Sequence, residues 1–145
     1  MIRIKKITSF EPALDILNRI PEFSEAFSIE EFKQRLQDDP LVLIAYVNGV
    51  LAGCKIGYNR FGNNIFYSWL GGVLPEFRKL NVAQKLQDKM EDIVRIRGYE
   101  FIQFKTRNKF TAMLQFGLKN GFQIIGFIPK EDLNESRIIL QKKLC

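Results

Sequence analysis

The chain contains no histidine. That absence excludes Ser-His-Asp and Cys-His nucleophilic relays and the usual zinc ligand sets. Cysteine is scarce as well. Cys54, in a predicted strand, and Cys145, at the end of the sequence, form neither a metal-spaced pair nor a disulfide framework, and read as a buried thiol and a loose one. Long apolar runs are missing too: the longest spans Leu41 to Val47, whereas crossing a bilayer takes about 20 such residues. The N-terminal MIRIKKITSF has no apolar core or cleavage site of a signal peptide, so a cytoplasmic protein with no membrane partner is expected. Neither GxxxxGK[ST] nor a GxGxxG after a strand occurs. Chemistry must therefore rest on carboxylates, tyrosine, lysine, backbone amides or a bound cofactor.

What is present describes a folded domain. A length of 145 residues fits one domain, here 1–145, and 46% hydrophobic with 26% charged residues argues against disorder. The net charge of +6 and pI near 9.4 favour an anionic partner: nucleic acid, a membrane surface or a phosphorylated cofactor. Charge alone does not choose among them.

Periodicity and turn signals give an element order. Ile2 to Ile7 alternates apolar and basic as a first strand. Helices are predicted over Pro12 to Ile20 and from Ser28 to Gln37, the second opened by a capping-box pattern in which Glu31 follows Ser28 by three residues. Leu41 to Val47 and Val50 to Tyr58 flank Asn48-Gly49, a type I′ hairpin signal, and Ile65 to Val73 is a third successive strand. A helical stripe runs from Val82 to Arg97 with Gly98 as its stop, followed by a strand from Phe101 to Thr106 that the helical crossover makes parallel to its predecessor. Lys109 to Asn120 is a further helix ended by Gly121, and Phe122 to Ile128 and Arg137 to Leu140 are closing strands. The order is βααβββαβαββ: an α/β chain, a central mixed sheet with helices on both faces.

The stretch GGVLPEFRKLNVAQKL, Gly71 to Leu86, ends a strand and begins a helix with no obvious side-chain cap. Arg78, Lys79 and the amides of Leu80, Asn81, Val82 and Ala83 converge at that helix start. Unpaired N–H groups and the positive end of the helix dipole make such a start an anion site, which adjacent cationic side chains reinforce.

This segment resembles the acyl-CoA-binding motif [Q/R]-x-x-G-x-[G/A] of the GNAT superfamily of N-acetyltransferases, read here as Arg78-Lys79-Leu80-Asn81-Val82-Ala83. Asn81 replaces the usual glycine; Asn is the residue after Gly most tolerant of left-handed angles. The later KTRNKFTAMLQFGLKNGFQIIGF, with Asn108, Met113 and Gly121-Phe122, is similar to the family's region after its fifth strand, and the element order equals its topology. The resemblance implies direct acetyl transfer from acetyl-CoA to an amine of a small molecule or peptide. It implies a pyrophosphate on the Arg78 to Ala83 loop, a Val73 N–H polarising the thioester carbonyl, and Asn108 against the pantetheine arm or the acceptor. Gly71-Gly72 would supply a bulge that turns an amide toward the ligand.

The family's Tyr acid toward the departing thiolate falls here on Gly117. The loss is tolerable, because a thiol of pKa about 8.5 leaves as thiolate. Deprotonating an ammonium of pKa about 10.4 at pH 7 costs more, about 4.6 kcal/mol. Tyr67 stands where some relatives place a glutamate base, and reads either as a proton relay through water or as a plain strand aromatic. Asn108 reads as a helix N-cap as well as a ligand contact. The missing Tyr and base also fit a noncatalytic acyl-CoA-binding or regulatory domain. A nucleic-acid module is the weaker alternative, since the aromatics interleave into strands, and none is expected as a partner. Glu22, Glu25, Glu30, Glu31, Asp38 and Asp39 concentrate acid before the hairpin, which favours a cationic acceptor, and a C-terminal edge strand offers a surface for a homodimer.

Overall fold

The computed structural model describes residues 1–23 and 25–144, so the expectation for Cys145 lies outside the described residues. Its elements run β1 (Ile2–Ile7), α1 (Glu11–Leu17), α2 (Ile29–Arg35), β2 (Leu41–Val47), β3 (Val50–Tyr58), β4 (Ile65–Val73), α3 (Val82–Ile96), β5 (Phe101–Arg107), α4 (Thr111–Lys119), β6 (Gln123–Ile128) and β7 (Arg137–Lys143). Short 3₁₀ turns fall at Pro75–Phe77 and Leu133–Glu135. The order is the one the sequence predicts.

Local signals act where they stand. Asn48 and Gly49 both take positive φ, 49° and 83°, as a type I′ hairpin turn between β2 and β3 requires. Ser28 Oγ accepts the Glu31 N–H at 3.2 Å and caps α2. Gly98 and Gly121, at φ 96° and 88°, end α3 and α4.

The strands form one seven-stranded sheet in the order β1-β2-β3-β4-β5-β7-β6, with β4 and β5 its parallel pair. Here one expectation is corrected. The C-terminal strand is no edge: β7 inserts antiparallel between β5 and β6, and β6 is the edge. Ile124, Ile125, Phe127 and Ile128 leave that edge exposed and apolar.

Each sheet face carries its own core. On one, α1 and α2 cover β2 to β4 through Ile16, Leu17, Phe32, Ile44, Ile56 and Tyr67. On the other, α3 packs Leu86, Met90 and Val94 with Leu43, Phe66, Ile102, Phe104 and Leu140. Because β2 to β4 are covered on both faces, their polar residues are buried regardless of alternation; Lys55 on β3 is only 8% exposed. Among the described residues, no helix is long and apolar enough to cross a membrane, and no group of three or more His, Cys, Asp or Glu side chains is placed to hold a metal ion.

Candidate functional site

The parallel pair β4 and β5 is joined over only part of its length. Ile65 to Ser68 pair with Phe101 to Phe104, and beyond that point Trp69 to Val73 have no partner on β5, while Lys105 to Arg107 pair only with β7. The two strands therefore diverge as a fork that opens toward their C-terminal ends. That is where a ligand meets a parallel pair of strands.

The backbone of β4 aims polar groups into this fork. Gly53 and Val73 face each other across β3 and β4, and the Leu74 N–H donates to the Ala52 carbonyl at 2.8 Å. Gly53 and Val73 are thus a non-hydrogen-bonded pair, which turns the N–H and C=O of Val73 away from β3 and into the fork. The same alternation points the Gly71 N–H that way, since Gly71 faces Lys55 two positions earlier on β4. The bulge lies elsewhere than expected. The register shifts between Ile56 opposite Leu70 and Gly57 opposite Ser68, so Trp69 is the extra residue. Gly72 has a packing reason instead: a Cβ there would stand 3.0 Å from Ile20 Cδ1.

At the mouth of the fork, Lys79 and Asn81 both sit in the left-handed region, at φ 65° and 72°, so Asn81 takes the glycine-like turn the sequence asks of it. No side chain caps α3, and its first helical bond runs from the Lys85 N–H to the Asn81 carbonyl at 3.2 Å. Among the described residues, the N–H groups of Leu80, Asn81, Val82 and Ala83 have no protein acceptor. Four adjacent amides at a helix start form a cradle for an oxyanion such as a pyrophosphate.

Arg78 stands at this cradle but is already engaged. Its Nε donates to the Val73 carbonyl at 3.0 Å, and its two terminal nitrogens bind Glu22 as a fork at 2.9 and 2.8 Å. That hydrogen bond pulls the Glu22 carboxyl below its ordinary range and raises Arg78. The pair ties the segment after α1 to the end of β4, 56 residues away in sequence. Sequence reasoning missed it.

Tyr67 faces the α1 and α2 side, 4% exposed, edge-on to Tyr58 and Phe61 at 5.9 and 5.8 Å. Burial holds its phenol above the ordinary pKa against the pull of Arg60, whose guanidinium lies 4.9 Å from the ring centroid. A phenol held protonated relays a proton but does not act as a base. Asn108 is not a helix cap: α4 begins at Thr111 after Phe110, and no side chain caps it. Asn108 instead donates its side-chain amide to the Leu133 carbonyl at 3.3 Å and its N–H to the Ser136 carbonyl at 2.8 Å. This ties the end of β5 to the β6–β7 connection.

Gly117, where the resemblance would put a tyrosine, is confined to glycine for a steric reason. A Cβ there would stand 2.7 Å from Phe104 Cζ, and Phe104 packs edge-on to Phe122 at 4.9 Å. The volume a side chain of α4 would fill is taken by a ring from β5. A second group missed by sequence reasoning is Lys55, level with Gly71 and buried under α3, where burial pushes its ammonium down to about 8.

The acids gathered before the hairpin are partly spent: Glu22 on Arg78, and Asp39 on Arg97 at 3.1 Å and Tyr99 at 2.7 Å. Around the fork on the α1 and α2 side stand cations. Arg35 lies 4.8 Å from the ring centroid of Trp69 and Arg60 over Tyr67, with Lys105 on β5 just past the branch.

Solved structures of this shape include acetyltransferases. The chain resembles the ribosomal-protein-S18-alanine N-acetyltransferase of Escherichia coli at 19% identity and a TM-score of 0.84, over 99% of this chain and 94% of that one. Ard1 from Thermoplasma volcanium matches at 16% and 0.82, over 99% and 98%. A GNAT family acetyltransferase from Elizabethkingia anophelis with acetyl-CoA bound matches at 19% and 0.79, over 98% and 97%. No curated protein sequence matches. These structural likenesses establish the fold, and the family model for "Acetyltransferase (GNAT) family" matches residues 10–122, most of the chain. A forked parallel pair above a bare helix start, in a sequence that fits this family over that span, places the chain in the GNAT acetyltransferase family.

Proposed function

We propose that residues 1–145 act as one N-acetyltransferase domain that moves an acetyl group from acetyl-CoA to a primary amine by direct attack. The observation that carries this reading is the Val73 N–H, turned into the fork above four partnerless amides. Leu80, Asn81, Val82 and Ala83 would hold the pyrophosphate through their N–H groups, with the exposed Lys79 adding charge. Arg78 would reach it with the guanidinium protons that Glu22 leaves free. The exposed Asn108 would offer its carbonyl oxygen to the pantetheine arm. As the amine nitrogen bonds to the acetyl carbon, negative charge would grow on the carbonyl oxygen, and the Val73 N–H would stabilise it. One such donor is worth about 2.7–4 kcal/mol in comparable oxyanion sites. The carbon–sulfur bond then breaks and CoA leaves as its thiolate.

The amine must lose a proton, and Tyr67 would pass it through water to solvent. CoA release measured with a panel of amines tests the transfer. A second reading, a noncatalytic acyl-CoA-binding domain, draws on the Phe104 ring that fills the usual acid's place. Acetyl-CoA binding without turnover on any amine favours it. A second copy of the chain would dock on the apolar edge β6, and sedimentation at increasing concentration measures that association.

A further inference from the structure

Five cations meet on one side of the fork. Tyr67 and Gln103 are partners across β4 and β5 on the face of α1 and α2, and Lys105 is the next β5 residue on that face. Arg137 on β7, paired with Arg107, lies on that face too, and Lys130 is drawn to the start of β7 by its N–H bond to Ser136 Oγ at 3.0 Å. Arg35 over Trp69 and Arg60 over Tyr67 close the ring from α2 and the β3–β4 turn.

Among the described residues, eight ion pairs form, and none of them gives Arg35, Arg60, Lys105, Lys130 or Arg137 a carboxylate partner. Glu135, beside Arg137, is held by Arg107 at 3.0 Å and Lys109 at 2.6 Å, while its backbone carbonyl accepts from Arg137 Nη1 at 2.5 Å. Burial, then Arg60, Arg137, Arg35 and Lys130, drive the Lys105 ammonium below its ordinary pKa, and no anion opposes them. Unpaired like charges repel, and a recess lined by one sign concentrates ligands of the other. Stacking on aromatic planes leaves the guanidinium edges of Arg35 and Arg60 free to donate.

We propose that the acceptor carries an anionic group, carboxylate or phosphate, beside the amine, and that Arg60, Lys105 and Arg137 receive it as the amine enters the fork. This rests on the acetyl-transfer reading above and names its substrate class. The same cations disfavour an ammonium at the fork, as they do at Lys105, and so ease the acceptor's deprotonation without a carboxylate base.

The test is CoA release by the full chain at saturating acetyl-CoA with matched acceptors: glycine against glycinamide, phosphoethanolamine against ethanolamine, with spermidine and cadaverine as cationic arms. The expected result is a kcat/KM about tenfold or more higher for the anionic member of a pair, carried by KM and shrinking at high salt. The glycine and phosphoethanolamine arms separate carboxylate from phosphate. Arg60→Gln with Lys105→Gln should abolish the preference while the thermal shift given by acetyl-CoA persists, which shows that the variant is folded. Equal or better use of neutral or cationic amines overturns the proposal, as does an acetyl-CoA shift with no panel member acetylated. Absence of that shift in the unaltered chain overturns the acetyl-transfer reading itself.

Discussion

Replacing Lys55 by methionine removes a charge that the fold holds at a cost. The ammonium is buried beneath α3 without an ion-pair partner among the described residues, and its pKa falls from 10.5 to about 8. That fall makes the charged form about 3 kcal/mol less favourable in the native state than in the unfolded chain. Structural relaxation lowers that figure. Methionine fills a similar volume, and Glu91 keeps Lys142 at 2.7 Å and Gln87 at 2.7 Å, so no partner is orphaned. Lys55→Met is therefore expected to stabilise the chain by about 1–3 kcal/mol at pH 7. The pH dependence carries a sign. With a lowered native pKa, the unfolded chain binds more protons between pH 8 and 10.5, and stability rises with pH there. Cys54 works the other way: burial raises its thiol from 9.0 to about 12, so above pH 9 the unfolded thiol ionises first and stability falls. The unaltered chain should gain under about 1 kcal/mol from pH 8 to 9, because its Lys55 is already half deprotonated at pH 8, and then level off. The variant should lack that gain and decline above pH 9. Urea unfolding at pH 7, 8, 9 and 10 measures both curves. A variant less stable at pH 7, or one that keeps the rise, would refute the account of Lys55.

Four further variants have expected outcomes. Arg78→Ala should weaken acetyl-CoA binding by about 1.5–3 kcal/mol in calorimetry, the worth of a charge-assisted bond. Glu22→Gln, which breaks a half-exposed pair, should cost under about 1 kcal/mol of stability and leave that binding intact; a binding loss there equal to that of Arg78→Ala would make Arg78 a structural clamp only. Tyr67→Phe keeps the ring against Tyr58 and Phe61 and removes the hydroxyl, so kcat should fall while acetyl-CoA affinity holds; an unchanged kcat removes Tyr67 from proton transfer. Gly117→Ala presses a methyl on Phe104 and should destabilise by about 1–3 kcal/mol in thermal unfolding, whereas a neutral result would mean that the ring yields freely.

The elements are legible in the sequence because their signals are local. Asn48-Gly49, Ser28 and the glycines at 98 and 121 each act on backbone within a few residues, and the βααβββαβαββ order follows from them. Contacts between distant segments leave no such trace. Nothing in the alternation of Arg137 to Lys143 says that this last strand slips between β5 and β6, because its register is set by β5, far back in the chain. Lys55 carries no local signal of burial, because the α3 helix that covers it comes from a later segment of the chain. The bulge at Trp69 is hidden for a similar reason: the doubled glycine at 71 and 72 is the stronger local signal, yet Ile20 packing explains Gly72. In the candidate site, the Arg78 to Ala83 loop is legible as one continuous motif. The engagement of Arg78 by Glu22 and the five cations at the fork come from separate parts of the chain, and only the folded sheet brings them together.

The most direct test of the central claim, an acetyl-CoA site on the forked strands, is thermal unfolding with acetyl-CoA and with ATP as a polyanion control. At 100 times its dissociation constant, acetyl-CoA should stabilise the fold by about 2.7 kcal/mol, a shift of several degrees, while ATP should give a smaller one. Equal shifts with both ligands, or none with either, would make the Arg78 to Ala83 loop a basic turn and contradict the account.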